Sequence, residues 1–294
     1  MDNDMKKVQL VLGSGGARGI AHIGVIERLL EDGYEIESIA GCSMGAVIGG
    51  MYCAGYLDAY KEWLLTLNKS DVFSLMDFTW SQVGFIKGDR VFDIMRHITG
   101  EQRIEDFDIP FVAVAADLLT YEEVYFDKGD LYDALRASIA IPGVFTPVWG
   151  ENAVWVDGGV LNPVPVNRTR KKEGSIVIAV NLNGPDLPGS MQTNGMSMQV
   201  SEDLDAESWF QKMRWQWMTK ENNGNGNMSM VDLLKKSYSL TQHKLIDMHL
   251  KLYQPDVVVE IPKSAGQTFD FYKAESMIEI GKSAYNQAMK KAGI

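Results

Sequence analysis

Gly41-Cys42-Ser43-Met44-Gly45 is a G-x-S-x-G pentapeptide. A serine in this pattern can act as a nucleophile when the turn follows a strand and opens a helix. The flanking glycines allow a strained turn and a close helix crossing. Such a turn would expose Ser43 Oγ at a helix N-terminus. There the backbone N–H of Met44 and the helix dipole favour developing negative charge. The same five residues also fit an ordinary tight turn with Ser43 as helix N-cap.

Gly13-Ser14-Gly15-Gly16-Ala17-Arg18-Gly19 is a second glycine turn with three readings. A P-loop would need G-K-[ST] at its end, which Arg18-Gly19-Ile20 does not supply. A dinucleotide fingerprint would need G-x-G-x-x-G. Gly13 and Gly15 fit it, Arg18 occupies the third glycine position, and a loosened version through Gly19 would use Glu35 or Glu37 on the ribose. The third reading is an oxyanion hole, in which the N–H groups of Gly15 and Gly16 form an anion-binding nest beside the Ser43 turn.

A nucleophilic serine needs a base. Trp155-Val156-Asp157-Gly158-Gly159 places a carboxylate after a short apolar run and before two glycines, although Asp-Gly-Gly is also a common turn. A Ser–Asp–His triad completed by His243 or His249 is the rival arrangement. Against it, Ser43 lies only one strand–helix unit into the chain. His22 reads as a packed or hydrogen-bonded core histidine and Cys42 as a small buried side chain. Arg168, Arg170, Lys171 and Lys172 form a basic run that fits a solvated helix end, with a headgroup contact as the alternative.

The elements around these turns alternate. Val8–Leu12 reads as a buried strand, followed by a helix over about 18–31 with Ile20, Ile23, Ile26, Leu29 and Leu30 on one side, and Gly33 as its stop. Ile36–Ala40 is a second strand, followed by a small-residue helix over about 46–56. Strand, glycine turn and helix, twice over, signal a parallel α/β protein. Later strands fit Phe111–Ala116, Ile176–Leu182 and Val257–Ile261, with shorter ones at Glu122–Phe126 and Val154–Val156. Ala274–Lys291 reads as a C-terminal helix.

Two segments break this rhythm. Trp63–Phe92 carries Trp63, Phe73, Phe78, Trp80, Phe85 and Phe92. The 184–230 stretch is rich in Gly, Asn and Met yet contains Trp209, Phe210, Met213, Trp217 and Met218. Loops this long are usually functional or disordered. The helical spacing of residues 209, 213 and 217 suggests a short amphipathic helix, packed on the core or acting as a lid or lipid-facing surface. Asn222–Asn227 reads as a mobile loop.

Composition excludes several classes. The 294 residues carry 28 Lys and Arg against 39 Asp and Glu, a net charge of -11, so nucleic acid is not an expected partner. Two cysteines cannot build a disulfide framework. The polar start is too weakly apolar for a signal peptide, and no apolar run approaches a membrane span, so the expected location is a reducing cytoplasm. Peripheral contact with a membrane or micelle through the aromatic segments stays open, as does the oligomeric state. No metal or cofactor is implied, and nothing resembles a calcium loop.

Taken in order, the glycine-rich turn at 13–19, the serine turn at 41–45 and Asp157-Gly158-Gly159 resemble the patatin-like phospholipase family. Ala137-Ser138-Ile139-Ala140-Ile141-Pro142-Gly143-Val144-Phe145-Thr146-Pro147-Val148 is similar to the family's segment before its aspartate, and Asn162-Pro163-Val164-Pro165 to its segment after the aspartate. The resemblance covers residues 6–182. It implies a three-layer α/β/α fold with a mostly parallel sheet and a nucleophile elbow at a strand–helix turn. A single domain over 1–294 is expected, with a variable 184–230 segment and C-terminal helices and a strand over 231–294. It further implies a lipid ester substrate, Ser43 as nucleophile, Asp157 as base, and Gly15, Gly16 and Met44 as oxyanion donors. Arg18, Gly13, Gly41, Gly45, Gly158 and Gly159 would support them. A free Asp titrates near 3.9 and is a poor base for a hydroxyl. Asp157 must therefore sit in a dry site, aimed at Ser43. A catalytically silent lipid-binding or regulatory module and a nucleotide-binding α/β protein are the alternatives.

Overall fold

The computed structural model describes residues 6–77, 86–169, 172–186 and 230–294. Among these, eight strands form one sheet: β1 Lys6–Leu12, β2 Tyr34–Cys42, β3 Phe111–Asp117, β4 Glu122–Phe126, β5 Val148–Trp149, β6 Val154–Asp157, β7 Ser175–Gly184 and β8 Val257–Pro262. Their order is β5-β6-β3-β2-β1-β7-β8, with β4 paired to β3. The run β3-β2-β1-β7-β8 is parallel, while β4, β5 and β6 join antiparallel.

The central strands β1 and β7 are largely apolar because both faces are covered, with Gln9 and Asn181 as buried polar interruptions. Leu10, Leu12, Ile178 and Val180 point to one face and have no exposed surface. Each such burial contributes roughly 1.5–3 kcal/mol. That face carries α1 Ala21–Glu31, α2 Met44–Cys53 and α8 Ala274–Ala292. Val11, Val177 and Ala179 point the other way and pack against Val164, Val166 and Ile246, the last on α7 Met230–Tyr253. The arrangement is the expected three-layer α/β/α stack.

The first helix departs from its expected outline. A 3-10 turn over Gly16–Ile20 precedes α1, and Leu30 is 44% exposed rather than on the inner stripe, which Ile23, Ile26 and Leu29 hold. The aromatic stretch after Trp63 is not one long loop. Most of its described residues belong to α3 Leu57–Thr66, α4 Lys69–Leu75 and α5 Asp89–Thr99. The helical phase of Tyr60 and Leu64 on α3, and of Phe92 and Met95 on α5, buries their side chains in the main core. α6 Leu131–Ser138 completes the set. Phe78, Trp80 and Phe85, the suggested helix at 209–217, the 222–227 loop, and Arg170 with Lys171 lie outside the described residues.

Candidate active site

β2 ends at Cys42, and Met44 begins α2, so the whole reversal falls on Ser43. Its backbone takes φ 56 and ψ -126, a conformation that L-residues rarely adopt and that stores strain. The flanking glycines are needed for contact. A Cβ on Gly41 would lie 2.5 Å from Ala46 Cα, and one on Gly45 would lie 2.0 Å from the carbonyl oxygen of Leu12. The Ser43 side chain makes no N-cap hydrogen bond, which separates it from the tight-turn reading. Its main chain is held instead. The N–H donates to Ser138 Oγ at 2.9 Å, and that hydroxyl donates to the Val114 carbonyl at 2.7 Å.

Asp157 reaches the same place from another strand. Cys42 pairs with Val114, and Asp157 pairs with Ala115, the next residue of β3. β4 pairs with Ala113–Asp117 along the other edge of β3, so β2, on Phe111–Val114, and β6, on Ala115–Asp117, share this edge end to end. β2 is parallel to β3 and β6 antiparallel, so their C-terminal ends meet. The Asp157 N–H donates to the Ala140 carbonyl at 2.9 Å. Its Oδ1 accepts the Gly159 N–H at 2.7 Å and lies 3.9 Å from Cys42 Sγ. Gly158 fits against the Val114 carbonyl.

Ser43 is 1% exposed and Asp157 not at all. Burial pushes the Asp157 carboxyl up to about 6, against the opposing pull of the Ser43 hydroxyl, the Gly159 N–H and Cys42. The Ser43 hydroxyl thus lies close enough to favour the ionised carboxylate, yet Oδ2 has no partner at hydrogen-bond geometry. Burial first, then Asp157, pushes the Cys42 thiol well above its usual range and keeps it neutral.

The glycine turn lies alongside. The Gly13 N–H donates to Val180 O at 3.0 Å, Ser14 N–H to Pro163 O at 2.8 Å and Ala17 N–H to Thr268 O at 2.9 Å. Between them, the N–H groups of Gly15 and Gly16 have no acceptor among the described residues, and neither has the first-turn N–H of Met44. Arg18 points away from this opening. Its Nε donates to Leu182 O and one terminal nitrogen to Gly266 O, both at 2.9 Å, and the other to Asn183 Oδ1 at 3.1 Å. Burial lowers its pKa to about 10, which leaves it charged. Arg18 therefore braces the loop rather than lining the opening.

The core reading of His22 fits the geometry. Its Nε2 donates to Gly13 O at 2.9 Å, and burial lowers its pKa to about 4, which keeps it neutral. The nucleotide reading finds no support. Glu35 and Glu37 lie in the first half of β2, where Glu37 accepts from Lys7 at 3.2 Å, and the far end of that strand is taken up by the Ser43 turn.

The two triad candidates face elsewhere. His249 Nδ1 contacts Asn162 Oδ1 at 2.8 Å, and His243 lies 4.0 Å from Asp247 on the exposed side of α7. Arg168 is not a solvated helix end. It ends a 3-10 turn, forms an ion pair with Glu123 and lies over the Tyr125 ring. Among the described residues no group of three His, Cys, Asp or Glu is placed to hold a metal ion.

Three contributors escape pattern reading. Ser138 ties the serine turn to β3. Gln242 donates to the Gly159 carbonyl at 3.3 Å and to the Tyr238 hydroxyl at 2.9 Å, so α7 covers the Asp157 turn. Burial, with Asp157 and Cys42 nearby, pushes the Tyr238 phenol well above its usual range. Only the i, i+4 spacing of Tyr238 and Gln242 hinted that they share a helix face. An apolar cavity of about 80 Å³ lies close by, walled by Trp63, Val72, Ile86, Ile139 and Phe145 among others. Ile139 sits between Ser138, which holds the Ser43 N–H, and Ala140, which holds the Asp157 N–H.

The chain is 32% identical to an uncharacterized NTE family protein of Mycobacterium tuberculosis over 329 aligned positions, covering 97% of this chain and 91% of that one. It is 30% identical over 186 positions to a lysophospholipase of Emericella nidulans, covering 62% of this chain and 12% of that one. The crystal structure of VipD from Legionella pneumophila aligns with 98% of this chain and 67% of that one, at 12% identity and a TM-score of 0.49. The family model described as patatin-like phospholipase matches residues 10–169. The chain belongs to the patatin-like phospholipase family and is a lipid ester hydrolase.

Proposed function

We propose that this chain hydrolyses a carboxylic ester of a phospholipid, lysophospholipid or related lipid through Ser43 and Asp157. The observation that carries the reading is the meeting of two strand ends on one edge of β3, which brings an uncapped serine to a buried carboxylate. Asp157 takes the Ser43 proton as Oγ attacks the acyl carbon. A carboxyl raised to about 6 is a stronger base than a free one yet remains mostly ionised at neutral pH.

The oxyanion formed by this attack is received by the N–H groups of Gly15, Gly16 and Met44. Each such donor contributes roughly 2.7–4 kcal/mol in the best-studied case. Asp157 then returns the proton to the leaving alkoxide, and an acyl-Ser43 ester remains. Water, deprotonated by Asp157, attacks this ester, releases the fatty acid and regenerates both side chains. The apolar cavity beside Ile139 suits the acyl chain. Contact with a membrane or micelle belongs to the same proposal, because the substrate is held in one.

The test is fatty-acid release from micellar lysophospholipid, with mass spectrometry of the quenched enzyme. An acyl adduct on the peptide containing Ser43 is expected. Fatty-acid release with the adduct on another residue would overturn the assignment. A folded chain that binds the micelles without release would favour the silent lipid-binding module.

A further inference from the structure

α7 has two apolar stripes where a helix of an outer layer needs one. The inner stripe is accounted for. Ile246 is 1% exposed in the second core, and Tyr238 and Gln242 lie over the Asp157 turn. The outer stripe is not. Leu233, Leu240 and Met248 are 55%, 64% and 63% exposed. Lys236, Lys244 and Lys251 are exposed between and beyond them. Successive members are three or four residues apart, so they form one continuous line along the helix.

We propose that this outer face of α7 is a docking surface for a lipid bilayer containing anionic headgroups. The inference rests on the lipid-hydrolase reading and gives that site its approach to substrate.

The composition of the stripe argues for this occupant. In a chain of net charge -11, these six aligned positions carry three lysines, and the one carboxylate beside them among the described side chains, Asp247, lies 4.0 Å from His243. Lysine stems lie along an apolar surface while their ammonium groups reach outward to headgroups, as on helices that rest in a membrane interface. No helix among the described residues is long and apolar enough to cross a membrane, so the contact is lateral. The 24 residues of α7 extend about 36 Å, enough to lie across many headgroups. A second copy of the chain fits less well, because a two-fold interface on this stripe would set lysines against lysines. An acidic protein partner would match the lysines but leave the leucines and methionine unexplained. The same helix touches the Gly159 carbonyl from its inner side, so docking its outer face brings the bilayer to the helix that covers Asp157.

The experiment is co-sedimentation of the full chain with vesicles of phosphatidylcholine alone and of phosphatidylcholine with one quarter phosphatidylglycerol. Two variants run beside wild type: Leu240→Gln/Met248→Gln, and Lys236→Gln/Lys244→Gln/Lys251→Gln. Wild type is expected to partition onto the anionic vesicles, with added salt weakening the binding. The lysine variant should lose about fivefold per charge at low salt, and the apolar variant at least tenfold on both vesicle types. All proteins should turn over soluble p-nitrophenyl butyrate equally, since none of the five residues touches Ser43 or Asp157. No binding by wild type, or equal binding by all three proteins, would overturn the proposal. So would a wild-type dimer that the apolar variant dissociates while vesicle binding is unchanged. Failure of the hydrolase reading has a separate signature, no turnover of butyrate and no fatty-acid release by the folded wild type, whatever the vesicles show.

Discussion

Ser43 and Asp157 stand at the ends of two strands that meet head to head on one edge of β3. Cys42 pairs with Val114 and Asp157 with Ala115, so backbone hydrogen bonds, rather than loops, fix how the two side chains approach. Ser138 fastens the Ser43 main chain to the same strand, and Ala140 accepts the Asp157 N–H. A site built on sheet register is stiff, which suits a reaction that depends on proton transfer over a short distance.

The acid limb of kcat/KM should have its midpoint near pH 6, because Asp157 must be ionised to accept the Ser43 proton. The same shift affects stability. The native carboxyl holds its proton up to about 6, while the unfolded one releases it near 3.8. Native stability therefore falls as pH rises from about 4 through 6. Asp157→Asn should be more stable than wild type by about 3 kcal/mol at pH 7, with the difference vanishing below pH 4. Denaturant unfolding at both pH values checks this. Equal stability at pH 7 would contradict it.

The serine turn should show opposite effects at neighbouring positions. Ser43→Gly removes the cost of a positive φ and should stabilise the chain by about 1 kcal/mol while abolishing turnover. Gly45→Ala drives a Cβ to 2.0 Å from Leu12 O and should destabilise by roughly 3 kcal/mol or more. Thermal melts of the two variants give the comparison. A destabilised Ser43→Gly would show that the turn is not strained as described.

Neither histidine of α7 should matter for chemistry. His249 is engaged with Asn162, and His243 lies near Asp247. His243→Ala and His249→Ala should keep p-nitrophenyl ester turnover within about twofold of wild type. A loss of a hundredfold or more in either folded variant would restore a triad.

The apolar cavity should read acyl length. Val72 is 4% exposed on its wall and away from the strand ends. Val72→Trp should leave p-nitrophenyl acetate turnover unchanged and lower kcat/KM for long-chain esters about tenfold, an effect of partial filling. An unaltered chain-length profile would place the acyl group elsewhere.

Much of the fold was legible because its signals are local. Val8–Leu12 and Ile176–Leu182 are apolar runs broken only by Gln9 and Asn181, and both lie within central strands buried on two faces. The two glycine turns stood out because few residues fit where a chain reverses against another backbone. The meeting of Ser43 with Asp157 could be inferred from family resemblance, but its physical cause could not. The register that sets Cys42 on Val114 and Asp157 on Ala115 joins three distant segments. Arg18 shows the same limit. Its three acceptors lie at Leu182, Asn183 and Gly266, far along the chain, so its bracing role leaves no local pattern. Ser138 was visible in the sequence only as one member of a matched block, since its two bonds go to Ser43 and Val114.

The most direct test compares wild type, Ser43→Ala and Asp157→Asn by fluorophosphonate labelling and p-nitrophenyl ester turnover, with folding verified by circular dichroism. The expected result is covalent labelling of wild type at Ser43, none in Ser43→Ala, and turnover reduced by three or more orders of magnitude in both variants. Turnover within about tenfold of wild type in either folded variant would contradict a serine–aspartate mechanism.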